Sequence, residues 1–180
     1  MLAFLFVWAM GQTLPVSALA PRSVSRLDGH TQIIPLPNRT TVLIFVGTEC
    51  PVANRYAPEI QRLTKANKVN ARFVLIYVKG TDRSAASKHA AAFGYLGLTA
   101  VDEGGLLVRA TGVTATPEAV VIDAKGRVRY RGRIDDINSS HGTTRPAARR
   151  RYLQAALDSV ARGKAVATPI TSPIGCPIEF

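Results

Sequence analysis

The segment Thr41-Val-Leu-Ile-Phe-Val-Gly-Thr-Glu-Cys50-Pro-Val-Ala-Asn54 runs from a purely apolar stretch into a cysteine followed at once by proline. Thr41 to Val46 has strand length and is rich in β-branched residues. It lacks polar alternation, which suits a central strand buried on both faces. From Cys50 to about Asn67, Val52, Tyr56, Ile60 and Leu63 recur at helical spacing with charges between them, so this stretch is expected to be an amphipathic helix. Pro51 fits the first helical position, where its missing N–H would have had no partner. Cys50 therefore falls at a strand-to-helix junction, where unpaired N–H groups and the helix dipole favour a thiolate. A thiol with a lowered pKa is a nucleophile at neutral pH; the alternative is an inert cysteine packed as a small apolar side chain.

Working outward, Phe73 to Val78 is a second buried strand, and Ser84 to Tyr95 a helix with Asp82 or Ser84 as its cap. A short strand at Thr99–Asp102 and a short helix at Leu106–Thr111 follow. Gly112-Val-Thr-Ala-Thr-Pro117 then leads into a strand at Ala119–Asp123. Ala124-Lys-Gly126 is turn chemistry, and the alternation in Arg127-Val-Arg-Tyr-Arg131 makes a hairpin partner whose charged face suits an outer strand. After a loop to Pro146, Leu153, Ala156, Leu157 and Val160 line one side of a final helix ended by Gly163. The tail from Lys164 carries Pro169, Pro173 and Pro177 and is expected to be extended and irregular. This order calls for an α/β architecture, a mixed sheet with helices on both faces.

The 180 residues are 47% hydrophobic and carry a formal charge of +11. That mixture supports one ordinary globular domain and argues against wholesale disorder. The positive charge favours weak contact with anionic surfaces such as a membrane, but much of it is spread singly along the chain. Residues 1–20 hold no charged side chain. The apolar run from Leu2 to Met10 leads to Val16-Ser-Ala-Leu-Ala20, the shape of a secretory signal peptide. Cleavage after Ala18 would place Val16 and Ala18 at the selective positions. The expected division is a signal peptide at 1–20, a polar leader at 21–39, the folded domain at 40–163 and the tail at 164–180. The only cysteines are Cys50 and Cys176, and an oxidising compartment would permit one bridge between them.

Val42 to Leu63 resembles the active-site strand and helix of the thioredoxin-like superfamily. The closest match is its redoxin branch, which includes the peroxiredoxins (alkyl hydroperoxide reductase/thiol-specific antioxidant proteins) and exported thiol–disulfide reductases. Pro58 lies where thioredoxins kink the active-site helix, and Thr116-Pro117 falls where the family places a cis-proline beside the catalytic thiol. Arg131-Gly-Arg-Ile-Asp135 and Gly175-Cys176 further resemble bacterial redoxin-domain proteins. The resemblance implies a thioredoxin-like three-layer sandwich over Thr40 to Gly163, with Cys50 as nucleophile. It also implies that Pro51, Thr116 and Pro117 meet the substrate, Thr116 through its backbone.

Departures narrow the chemistry. A CxxC pair would need a cysteine where Ala53 stands. The peroxiredoxin threonine and proline positions hold Gly47 and Leu43, and Cys50-x-x-x-Asn54 does not supply a copper site. Cys176 is then the partner that could resolve a mixed disulfide or sulfenic acid on Cys50; a static bridge and a free thiol are the alternatives. Arg131 or Arg133 could stabilise a thiolate, or simply line a solvated strand edge. His30, His89 and His141 lack metal-ligand spacing, so they default to the surface and no metal or other cofactor is expected. Arg145 and Arg149-Arg-Arg151 form a basic patch without the aromatic pattern of a nucleic-acid surface. The leading expectation is an exported thiol-dependent oxidoreductase acting on a protein disulfide or a peroxide and drawing on an external thiol reductant. An atypical peroxidase resolved by Cys176 and a non-catalytic binding module with a structural disulfide are the competing readings.

Overall fold

The computed structural model describes residues 18–95, 97–140 and 143–179. Strands β1 (Arg22–Arg26) and β2 (Thr31–Ile34) open the fold, followed by β3 (Thr40–Val46) and a broken helix, α1 (Pro51–Arg55) and α2 (Ala57–Ala66). Then come β4 (Ala71–Tyr77), α3 (Arg83–Ala92), β5 (Leu98–Val101), α4 (Leu106–Thr111), β6 (Ala115–Thr116), β7 (Glu118–Ile122) and β8 (Val128–Gly132). A small hairpin of β9 (Asn138–Ser140) and β10 (Thr143–Thr144), helix α5 (Tyr152–Ala161) and β11 (Cys176–Pro177) close the chain.

The seven-stranded sheet has the order β2-β1-β5-β4-β3-β7-β8. β3 pairs in parallel with β4 and antiparallel with β7, so the strand that delivers Cys50 is central. Its side chains divide the core by alternation. Val42, Ile44 and Val46 face one layer with Ile60, Leu63, Leu153 and Leu157. Leu43 and Phe45 face the other with Leu107, Val108 and Ile34. Each such buried aliphatic side chain contributes ~1.5–3 kcal/mol, in keeping with the purely apolar run from Val42 to Val46. The helices thus cover both faces, with α4 on the second, as the sequence order requires.

Three expectations change. Residues 22–34, taken as a polar leader, form a hairpin that extends the sheet at β5. Isolated polar positions hid the pattern, because an edge hairpin buries little beyond Val24 and Ile34. The single helix from Cys50 is two, since Tyr56 ends α1 and Pro58 lies in the first turn of α2. The tail is not irregular throughout, for it docks as a strap. Arg131 N–H donates to Pro169 O at 2.9 Å, Thr171 N–H to Arg131 O at 3.0 Å, and Ile178 N–H to Thr114 O at 2.9 Å. Prolines spaced by Ile170, Thr171 and Ile178 leave enough donors for these bonds, and Ile178 is buried in the second core layer.

Gly132 has φ +145°, and a Cβ on it would overlap Thr171 of the strap. Gly132→Ala is expected to lower unfolding stability by about 2 kcal/mol and to speed amide exchange at Thr171 and Ile178. Chemical denaturation and hydrogen exchange check this; unaltered exchange at both amides would contradict the packing.

Candidate functional site

Cys50 occupies the N-cap of α1 in an extended backbone conformation, with Pro51 at the first helical position. Its Sγ accepts from Ala53 N–H at 3.4 Å and donates to Thr116 O at 3.0 Å. Only 3% of Cys50 is exposed. Because α1 is one short turn and a half, the nearest N–H groups, rather than a long helix dipole, favour the thiolate.

The peptide bond Thr116–Pro117 is cis. Thr116 faces Cys176 across a two-residue antiparallel ladder of β6 and β11. A Cβ on Gly175 would collide with the Thr116 carbonyl, so only glycine lets the tail approach this closely. Both thiols are free, and with Thr116 and Pro177 they line a groove of about 520 Å³ with Thr48, Glu49, Thr81 and Asp82 further along.

The two sulfurs are electrostatically unequal. Burial pushes the Cys50 thiol up from its ordinary 9.0. Hydrogen bonds from the Cys176 thiol, the Thr116 side chain and the N–H groups of Ala53 and Cys176 outweigh it, so the net shift is downward. Cys176 is driven up to about 11, by burial first and then by its hydrogen bond to Cys50 and the charge there. Of the two thiols Cys50 is thus the one that ionises first, and Cys176 keeps its proton to higher pH.

The arginines considered for the thiolate are committed elsewhere. Arg131 faces Glu118 at 3.8 Å and donates to Thr111 O at 3.2 Å; Arg133 donates to Ser172 O at 2.7 Å. Both hold the strap and the β7–β8 hairpin, because the alternating face that carries them meets residues 169–172 rather than solvent. Buried Glu118 accepts from Thr114 N–H at 2.7 Å and Ala115 N–H at 3.4 Å, which fixes the approach to Thr116. In the basic patch it is the backbone that is fixed, since Asp136 accepts from the backbone N–H groups of Arg149 and Arg150 at 2.7 and 2.8 Å. Arg151 meets Glu59 at 3.4 Å.

His89 departs from its expected surface position. It is buried, and its Nε2 lies 2.8 Å from Asn54 Oδ1 while its Nδ1 lies 2.9 Å from Tyr77 Oη. Asn54 Nδ2 donates to Thr48 O at 3.2 Å. That bond orients the amide, so Nε2 carries the hydrogen, and Tyr77 O–H donates to Nδ1. The relay Tyr77–His89–Asn54 thereby pins the loop that precedes Cys50. Asn54 lies one helical turn beyond Cys50, a spacing visible in the sequence; nothing there marked His89, which is brought in by α3. His30 is exposed, and His141 lies outside the described residues. Among the described residues no group of His, Cys, Asp or Glu has the arrangement of a metal site.

A family model described as Redoxin matches residues 22–148. No curated protein matches the chain. An uncharacterised conserved protein from Geobacillus kaustophilus is 23% identical, with a TM-score of 0.79 over 93% of each chain. A hypothetical protein from Sinorhizobium meliloti is 21% identical, with a TM-score of 0.81 over 94% of this chain and 96% of that one. A secreted Mycobacterium tuberculosis disulfide oxidoreductase is 23% identical, with a TM-score of 0.54 over 59% of this chain and 79% of that one. At these identities the likeness establishes a common thioredoxin-like fold.

Burial holds the His89 pKa below its ordinary 6.5, with Glu49 opposing. The unfolded chain therefore takes up a proton first. The contribution of neutral His89 is complete above pH 6.5 and is lost as pH falls through the depressed folded value. The stability difference between wild type and His89→Gln is expected to shrink between about pH 7.5 and about pH 5. A constant difference over that interval in urea unfolding would show that His89 is not held neutral.

Proposed function

The chain belongs to the redoxin family, and we propose that within it the protein is an exported thiol–disulfide oxidoreductase with Cys50 as attacking thiolate and Cys176 as resolving thiol. The observation that carries this is the β6–β11 ladder, which sets the Cys176 thiol against the buried Cys50 at the N-cap of α1; the opposed shifts, Cys50 down and Cys176 up to about 11, agree with it. A static bridge or a purely binding module has no need of that asymmetry.

The exchange follows from it. Cys50 thiolate attacks one sulfur of a disulfide RS–SR′, forms Cys50–S–SR and expels R′S⁻. The charge on Cys50 is then gone. With it go two of the three causes that raise the Cys176 pKa, leaving burial alone. Cys176 gives its proton to the departing thiolate or to water and attacks Cys50 Sγ, expelling RS⁻. The substrate gains two electrons, the protein holds a Cys50–Cys176 disulfide, and an external dithiol restores it by the reverse exchange. In this reading Thr116 and Pro117 shape the wall opposite Cys50, and Pro51 starts the helix whose Ala53 N–H meets the sulfur. Peroxide chemistry has less support, since the guanidiniums of Arg131 and Arg133 are bonded to Glu118, Thr111 and Ser172 instead of facing Cys50.

Export is supported by the uncharged apolar leader and by the secreted oxidoreductase of similar fold. Packing favours a processing position before Leu19. Leu19 is buried in the second core layer, and its N–H donates to Gly126 O at 2.8 Å. A cut after Ala18 keeps Leu19, and one after Ala20 discards it.

Alkylation of Cys50 followed against pH is expected to have its midpoint below the ordinary thiol value of 9.0, with Cys176 reacting far more slowly at neutral pH. Cys176→Ala removes the S–H donor and is expected to move the Cys50 midpoint upward. A midpoint at or above the ordinary value in wild type would sink the proposal. Terminal sequencing of protein exported by its own host is expected to begin at Leu19; a start at Pro21 would contradict the packing argument.

A further inference from the structure

An extended polypeptide that presents a sulfur to a buried thiol does so most economically by adding a strand to an open backbone edge beside it. The edge beside Cys50 is β6, and it is already taken. Thr116 is paired with Cys176 and Ala115 with Pro177. Thr114 O receives the Ile178 N–H, while the N–H groups of Thr114 and Ala115 go to Glu118. The occupant is the chain's own tail, seated with a cysteine against Cys50, which is the pose a substrate strand would need.

We propose that residues 175–178 are a resident substrate-like strand that closes the site to extended protein disulfides and leaves it open to small ones. The proposal rests on the thiol-exchange reading above and names its substrate selection. Two occupants cannot share β6, because Gly175 lies against the Thr116 carbonyl with no room for even a Cβ. A small disulfide needs no strand pairing. It approaches along the groove of about 520 Å³, which Cys50 lines together with Thr81 and Asp82.

The strap is built for partial release. Residues 169–172 are fastened to β8 through Arg131, Arg133 and Thr171 Oγ1, which Arg133 N–H meets at 3.0 Å. Beyond Pro173, the ladder to β6 and the bond of Ile178 hold the rest. A ladder of two residue pairs opens at low free-energy cost. The outer anchor can therefore stay in place while 175–178 lift from Thr116 and admit a protein strand.

The test uses two thiopyridyl mixed disulfides with the same leaving group, one of 2-mercaptoethanol and one of a linear peptide with a single cysteine. Cys50 thiolate attacks the mercaptoethanol or peptide sulfur and releases thiopyridone, which is read by absorbance in a single turnover. Cys176→Ala is the reference with its strap in place, and Cys176→Ala/Gly175→Val displaces the strap. The ratio of peptide rate to small-molecule rate cancels any change in Cys50 acidity and is expected to rise about tenfold on displacement. An unchanged ratio, with amide exchange at Ile178 showing the strap lifted, overturns the proposal. Reference protein that reacts with neither probe faster than free cysteine overturns the thiol-exchange reading itself, and this proposal with it.

A second measurement needs no change at Gly175. In the reference protein, amide exchange at Ile178 is expected to accelerate when Cys50 carries the peptide and to stay slow when it carries mercaptoethanol. Equal exchange in the two adducts overturns the proposal.

Discussion

The ladder that sets Cys176 against Thr116 joins residues that lie far apart in sequence, and it brings two otherwise solitary thiols together. Its register places the tail's sulfur over the N-cap of α1, where Cys50 is held by Ala53 N–H and the Thr116 carbonyl. Gly175 permits that closeness, and Gly132 permits the parallel approach of Thr171 further back along the strap. If the ladder were shifted by one residue, Cys176 would face the other side, because side chains alternate along a strand.

Pairing has an electrostatic consequence that neither cysteine would show alone. Burial penalises a thiolate at both positions, yet only Cys50 has several donors directed at it. Cys50 is the more acidic thiol for that reason, and Cys176 is pushed up by burial and by its neighbour Cys50. The arrangement resembles a nucleophile with its reserve thiol, but assembled from opposite ends of the domain instead of within one helical turn. Around it, the Tyr77–His89–Asn54 relay holds the preceding loop and Glu118 holds the approach to Thr116. Each is a buried polar group whose hydrogen bonds are satisfied by the elements it positions.

Much of the fold was legible in local pattern. The apolar runs at β3 and β4, the turn chemistry at Ala124 to Gly126 and the periodicity of α5 each follow from burial or backbone geometry within a few residues. The hairpin of β1 and β2 was not, because an edge that buries little leaves little hydrophobic signal. Arg131 and Arg133 looked solvated for a similar reason: strand alternation says which residues share a face, not what lies against it.

The sequence by itself determined that Cys50 sits at a strand-to-helix junction behind Pro51, because apolar continuity, helical spacing and a missing N–H are properties of neighbouring residues. It also determined that no second thiol lies within that helix, leaving Cys176 as the sole candidate. Only the tertiary structure decided that Cys176 reaches Cys50, that it does so as a paired strand, and that Cys176 is the less acidic of the two. Those outcomes depend on long-range backbone pairing and on burial shared between distant segments, and neither leaves a periodic trace in the chain. What began as a reactive cysteine without a partner is, once folded, half of a pair.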